Sequence, residues 1–121
     1  MPPSIRTLLR ALFVLALIGV FWLALMPAPE VVKLVSWQDK IEHGVLFAAL
    51  MGLGALAWPR HLLTLAAILL LYGAAMEVAQ SFTGYRFGDI WDWLADTLGI
   101  VFMIGLLRLI RSARPRSTDR H

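Results

Sequence analysis

The sequence predicts an all-α, polytopic membrane protein built as a bundle of four transmembrane helices. Of its 121 residues, 60% are apolar and 16% are charged, whereas soluble domains are about half apolar and about a quarter charged. A soluble domain of this size leaves much of its surface in water, so it could not bury this many aliphatic side chains. The apolar residues also form four runs long enough to cross hydrocarbon. We therefore expect lipid to cover the excess.

The first predicted helix spans about 11–28 and follows a short N-terminal segment, 1–10. A cleaved signal peptide is the alternative, but its apolar region is usually about 7–15 residues long. The one small-residue cleavage candidate, Ala28, is also followed by Pro29. We therefore predict an uncleaved helix, and we expect the amphipathic connection over 30–40 to lie at the membrane interface.

The second predicted helix spans about 40–58, between a start signal at Ser36 and Asp39 and a stop signal at Pro59. The third covers 62–81 and is aliphatic until Glu77 and Gln80. After a short loop, the fourth covers 89–110, with Asp92 in its first turns. A basic tail, 111–121, follows the membrane domain of residues 11–110.

The basic residues divide unequally between the two faces of the predicted bundle. One face receives the arginines of both termini and of the second turn: Arg6, Arg10, Arg60, Arg108, Arg111, Arg114, Arg116 and Arg120. The other receives Lys33, Lys40 and Arg86. The positive-inside rule then predicts a plasma (inner) membrane protein with both termini in the cytoplasm. Because the basic residues follow membrane topology, the net charge of +3 does not indicate a nucleic-acid partner.

Polar residues of three predicted helices collect near the outward-facing surface. Spacings of three and four residues place each set on one helical face. Since an unpaired charge in hydrocarbon costs about 2.5–3.5 kcal/mol, we expect these faces to form a shared polar pocket. Its candidate site residues are Asp39, His43, Glu77, Gln80, Arg86, Asp92 and Asp96.

Several of these residues also have a structural interpretation. Asp39 suits a helix N-cap, and Glu77 near a helix C-terminus needs a partner such as Arg86 or His43. Arg86 could bind an anion through its planar fork or form an internal ion pair. His43 could carry protons, ligate a metal, or simply donate a hydrogen bond in the core. No metal or cofactor is assigned, and without cysteine thiolate chemistry is excluded.

Two further patterns concern packing and the interface. Gly44, Ala48 and Gly52 form a small-residue stripe, which favours close helix packing within the monomer or between copies of the chain. The tryptophans near helix ends are typical of an interfacial belt; they are Trp22, Trp37, Trp91 and Trp93.

The order of the polar motifs over residues 36–107 resembles that of the VanZ-like family of small membrane proteins. The motifs are Asp39-Lys40-x-x-His43, Glu77-x-x-Gln80, Arg86 and Asp92-x-x-x-Asp96-x-x-Gly99. The family pattern usually has Asn at the position of Asp96, so this chain carries an extra negative charge. The family takes its name from a protein associated with resistance to teicoplanin, which agrees with the independent inference that the polar site faces the cell envelope.

Three classes of function fit these observations. The first is a site that recognises or processes a polar envelope or lipid head group, with Arg86 binding an anion. The second is an accessory or structural subunit, in which the polar residues fix helix packing. The third is a small ion or proton transporter, against which the absence of ionisable residues over 98–107 argues. No serine elbow, phosphate loop or HExxH motif indicates an enzyme.

Overall fold

The computed structural model describes residues 2–26, 38–83 and 90–114, without the side chains of residues 38 and 39. They form four α-helices: α1 (Pro3–Leu25), α2 (Gln38–Ala57), α3 (Leu62–Ser81) and α4 (Ile90–Ala113). All four are long and apolar enough to cross a membrane, and the described residues contain no strand. The predicted all-α fold with four membrane-spanning helices is therefore confirmed.

The first and the last helix are longer than their apolar runs. Helix α1 begins at Pro3, eight residues before the predicted start, because Pro is favoured in the first turn of a helix. Its polar first turns stay helical although they are not hydrophobic. Helix α4 likewise continues to Ala113, past the predicted end at 110. The predicted interfacial segment lies mostly outside the described residues.

The helices run up and down, so that each end of the bundle has its own chemistry. At one end, Arg10 Nε donates to Ala57 O at 3.2 Å and Arg111 Nη2 donates to Pro59 O at 3.0 Å. Both arginines thereby bind the turn between α2 and α3. We call this the arginine end, and its composition agrees with the charge grouping used to predict topology. The acidic side chains that the structure describes, Glu42, Glu77, Asp92 and Asp96, lie at the opposite end.

The core is formed mainly where α2 packs between its neighbours. Helix α2 packs most extensively on α4 and also contacts α1 and α3, whereas α1 and α4 do not pack on each other over their described residues. The largest fully buried apolar side chains are Phe47, Met51, Leu69, Met76 and Ile100. Many leucines face outward instead, such as Leu71, which is 73% exposed. An apolar exterior is expected of a protein surrounded by lipid.

Helices α2 and α4 approach closely at a pair of glycines. A Cβ placed on Gly99 would overlap the carbonyl oxygen of Gly44 and would lie 2.9 Å from its carbonyl carbon and 3.1 Å from Ala48 N. These neighbours are backbone atoms, which cannot rotate away. The small-residue stripe of α2 therefore packs within the monomer, against α4. This contact lies about one turn below Asp96 and two turns below Asp92, and it fixes the separation of the two helices there.

Candidate functional site

Five side chains from three helices meet at the end of the bundle opposite the arginine end. Lys40 and His43 come from α2, Glu77 from α3, and Asp92 and Asp96 from α4. Spacings of three residues on α2 and four on α4 place each pair on one side of its helix. We refer to these five residues as the polar cluster.

The innermost contact of the cluster joins His43 to Asp96. His43 Nδ1 lies 2.8 Å from Asp96 Oδ1, and the carboxylate accepts this hydrogen bond. Asp96 has no solvent exposure, which is unusual for a carboxylate. Its second oxygen, Oδ2, has no hydrogen-bond partner among the described residues and faces α3, where a Cβ on Gly73 would lie 3.0 Å away. The absence of a side chain on Gly73 makes room for this buried acid.

Asp92 connects the buried contact with the surface. Asp92 Oδ1 accepts a hydrogen bond from Lys40 Nζ at 3.3 Å, and Asp92 Oδ2 lies 3.7 Å from His43 Nε2. The side chain of Asp92 is 14% exposed and that of Lys40 37% exposed. Exposed ion pairs contribute little to stability. This pair, however, is linked through His43 to the buried carboxylate of Asp96. The cluster therefore forms a continuous polar path from the exposed Lys40 to the buried Asp96.

Glu77 brings the third helix into the cluster. Its side chain is buried, and one donor atom from each of His43, Glu77 and Asp96 lies within 4.8 Å of the other two. Gly73 and Glu77 are four residues apart, so both lie on the face of α3 that meets Asp96. Three helices therefore place two buried carboxylates and an imidazole in one small volume.

Gln80 belongs to the same end of the bundle but bonds to a different helix. Its Nε2 donates to Ala24 O of α1 at 2.9 Å. Beside it lies a cavity of about 270 Å³ between α1, α2 and α3. Its polar lining comes from Glu42, His43 and Gln80, whereas Val20, Leu23, Ala24, Leu46 and Met76 provide the apolar wall. Such a mixed lining suits a molecule with a polar head and an apolar tail.

Two of the seven predicted site residues cannot be placed. Arg86 lies outside the described residues, and so does the side chain of Asp39. Their roles therefore stay predictions. Of the other five, His43, Glu77, Asp92 and Asp96 lie together, and Gln80 shares the cavity with His43. That these residues act as a site also remains a prediction.

Other polar contacts were not anticipated from the sequence. Lys40 is not among the predicted site residues, yet its bond to Asp92 makes it a member of the cluster. Tyr72 lies in an otherwise aliphatic stretch of α3. Its hydroxyl group donates a hydrogen bond to Leu17 O at 2.6 Å. Trp93, predicted to lie in the interfacial belt, donates from Nε1 to Leu70 O at 2.9 Å. The isolated tyrosine was a usable signal, since a buried hydroxyl needs a partner.

Comparison with known proteins agrees with the resemblance carried by the motifs. The model of the VanZ/LLP1 family matches residues 9–111, which includes all four helices except the first residues of α1 and the last of α4. No curated protein and no solved structure matches the chain. The matched segment contains every residue of the polar cluster. This multi-pass membrane protein thus belongs to the VanZ/LLP1 family.

Proposed function

We propose that the polar cluster and its neighbouring cavity recognise the polar, anionic head group of a lipid or envelope component. The observation that carries this proposal is the burial of Asp96 against His43, connected with the surface through Asp92 and Lys40. A carboxylate placed in a membrane bundle costs several kcal/mol unless it is paired. Such residues in membrane spans usually serve a ligand or ion, which favours a functional role.

The cavity suits the head of an amphiphile. Its volume of about 270 Å³ lies just below the range of about 300–1,000 Å³ typical of sites for drug-sized ligands. Its polar residues are His43, Glu42 and Gln80, and α1 contributes most of the apolar wall. In this proposal the carboxylates and His43 bind hydroxyl groups, and Arg86 binds the anion.

His43 also gives the site a route to proton transfer. An imidazole held by a buried carboxylate at 2.8 Å resembles the pairing that orients a histidine as a general base. If His43 transfers a proton to or from the bound head group, the chain would process its ligand and be an enzyme. Binding alone requires fewer assumptions and is the function proposed first.

The accessory-subunit hypothesis is favoured by a different observation. The bonds of the cluster join α2 to α4, so the same residues also contribute to helix packing. A proton pathway is less favoured, because Phe47, Leu69 and Ile100 fill the described core below Asp96. The two leading hypotheses differ in what a mutation should do. Loss of a site removes function at constant abundance, whereas loss of a scaffold removes folded protein.

The test compares Asp96→Asn, His43→Gln and Arg86→Ala with the wild type. The matched control is Thr97→Val, since the Thr97 hydroxyl bonds only to Trp93 O of its own helix among the described residues. Each protein is reconstituted in phosphatidylcholine nanodiscs with added phosphatidylglycerol, and native mass spectrometry counts the retained anionic lipid. We expect retention by the wild type and Thr97→Val, and loss in the three site variants.

The same variants are tested for complementation of a deletion strain. The readout is sensitivity to envelope-directed antibiotics, with teicoplanin included because of the family resemblance. Folded variants that retain the lipid and complement fully would overturn the proposal. Variants that disappear from the membrane would instead support the scaffold hypothesis.

The extracytoplasmic position of the cluster is part of this proposal. It requires the arginine end to face the cytoplasm of a cell with this protein in its inner membrane. A reporter that is active only in the cytoplasm, fused after residue 121, should therefore be active. An inactive C-terminal fusion in a well-expressed protein would reverse the orientation.

A further inference from the structure

We propose that His43, Glu77 and Asp96 bind a divalent transition-metal ion, such as Zn²⁺ or Mn²⁺, between α2, α3 and α4. One donor atom from each residue lies within 4.8 Å of the others. Two donors bound to one ion at about 2.0–2.2 Å each are separated by at most about 4.4 Å. Small side-chain rotations would therefore bring all three donors to a single ion.

An independent observation at Asp96 also indicates a ligand. The side chain of Asp96 is 1% exposed, and its Oδ2 has no hydrogen-bond partner among the described residues. This oxygen faces α3 beside Gly73, one turn from Glu77 on the same helical face. A buried carboxylate oxygen with unused lone pairs is expected to bind a partner. A cation between α3 and α4 supplies one.

The groups around His43 resemble the outer shell of a metal site. With Nδ1 directed at the ion and Asp96, Nε2 points towards Asp92 Oδ2 at 3.7 Å. Asp92 is itself bonded to Lys40 at 3.3 Å. Metal-binding histidines usually direct their second ring nitrogen at a carboxylate or carbonyl, which fixes the tautomer and the ring orientation. Asp92 would have this positioning role.

The donor set determines the class of ion. One imidazole nitrogen and two carboxylates suit Zn²⁺, Mn²⁺ or Fe²⁺, whereas Ca²⁺ and Mg²⁺ prefer oxygen donors alone. Three protein ligands leave a coordination position open to water or to another oxygen ligand. The three donors are close enough to share an ion whether or not the neighbouring cavity binds a head group.

The first test measures metal content. Wild-type protein in detergent is treated with a chelator, loaded with Zn²⁺ or Mn²⁺, dialysed and analysed by mass spectrometry of the metal. We expect one tightly held ion per chain. Loss of an outer partner of a metal ligand typically weakens metal binding by roughly 10–100-fold. Removal of a ligand itself, in His43→Gln, Glu77→Gln or Asp96→Asn, should weaken binding by more than that. Asp92→Asn should fall within that 10–100-fold range.

The matched control is Glu42→Gln. Glu42 neighbours His43 in the chain and lines the same cavity, but it is not one of the three grouped donors. This variant should keep the affinity of the wild type. Equal loss of the ion in Glu42→Gln and Asp96→Asn would overturn the assignment, and so would wild-type protein that retains no ion.

A spectroscopic measurement on the wild type covers the case in which ligand variants fail to fold. Co²⁺ bound by one imidazole and two carboxylates should show visible absorption bands that saturate at one equivalent and disappear when Zn²⁺ is added. A featureless titration would overturn the proposal. Lipid retention measured on the chelated protein separates the two proposals. If the metal-free protein still retains the lipid, the head-group proposal holds whatever the metal content shows.

Discussion

Replacement of Gly99 by alanine tests whether the close approach of α2 and α4 holds the polar cluster together. The added Cβ would lie 2.9 Å from Gly44 C, whereas carbon atoms prefer separations of about 3.5–4.0 Å. The helices must therefore move apart by at least about 0.6 Å at this point. Overpacking typically costs about 1–3 kcal/mol, and we expect a value of about 3 kcal/mol because the opposing atoms belong to the backbone.

The same displacement should reach the site one turn away. If it passes fully to the contact between His43 and Asp96, the 2.8 Å distance becomes about 3.4 Å, beyond the usual range of about 2.7–3.2 Å for such bonds. Gly99→Ala should therefore lower both the free energy of unfolding and the amount of lipid that the site retains. Denaturation in mixed micelles of increasing SDS content measures the first, and the lipid-retention assay measures the second.

Two glycines provide matched controls for this experiment. A Cβ on Gly105, also in α4, meets nothing within 4 Å, and a Cβ on Gly44 meets Ala95 O at an ordinary 3.4 Å. Gly105→Ala should be neutral or stabilising by up to about 1 kcal/mol through helix propensity, and Gly44→Ala should cost less than Gly99→Ala. A Gly99→Ala protein whose free energy of unfolding stays within about 0.5 kcal/mol of the wild type, the range of ordinary surface changes, would show that the two helices do not meet at this glycine.

Three more predictions concern side chains that pack between the helices, all measured by the same unfolding assay. A double-mutant cycle of His43→Gln and Asp96→Asn should give a coupling energy of about 0.5–3 kcal/mol, and additive effects would mean that the 2.8 Å contact contributes nothing. Tyr72→Phe should cost about 0.5–1.5 kcal/mol through the lost hydrogen bond to Leu17 O; an unchanged free energy of unfolding would show that this bond makes no net contribution to stability. Phe47→Ala should cost about 3–5 kcal/mol, since Phe47 is fully buried, whereas Phe102→Ala at a 66% exposed position should cost far less.

The helices could be predicted because hydrophobicity and stop signals coincide along most of the chain. For α3, Pro59 precedes the start and the polar residues Glu77 and Gln80 mark the end, and the helix spans Leu62–Ser81, as predicted. The start of α1 was less accessible, because a polar turn beginning at Pro3 is helical without being hydrophobic. Hydropathy identifies the part of a helix that lies in lipid, not its ends.

The members of the polar cluster could be predicted more easily than their partners. Spacing along α2 and α4 places His43 and Asp96 on definite faces, and the cost of buried charge favours contact between those faces. The particular bonds depend on which helices are neighbours. Helix α2 packs on α4, and this packing brings Lys40 to Asp92. The order of the helices along the chain does not reveal which of them are neighbours.

The docking of α1 has a consequence for the order in which the protein assembles. Phe13 is the one buried residue of this helix, and it fits beside Gly54 and Leu65, which belong to α2 and α3. Synthesis proceeds from the N-terminus, so α1 enters the bilayer before its docking surface exists. It must persist there as an independent span, for which its hydropathy, the highest of the four helices, is suited. Because α1 also forms one wall of the cavity beside His43, that wall forms only after α2 and α3 have entered the bilayer.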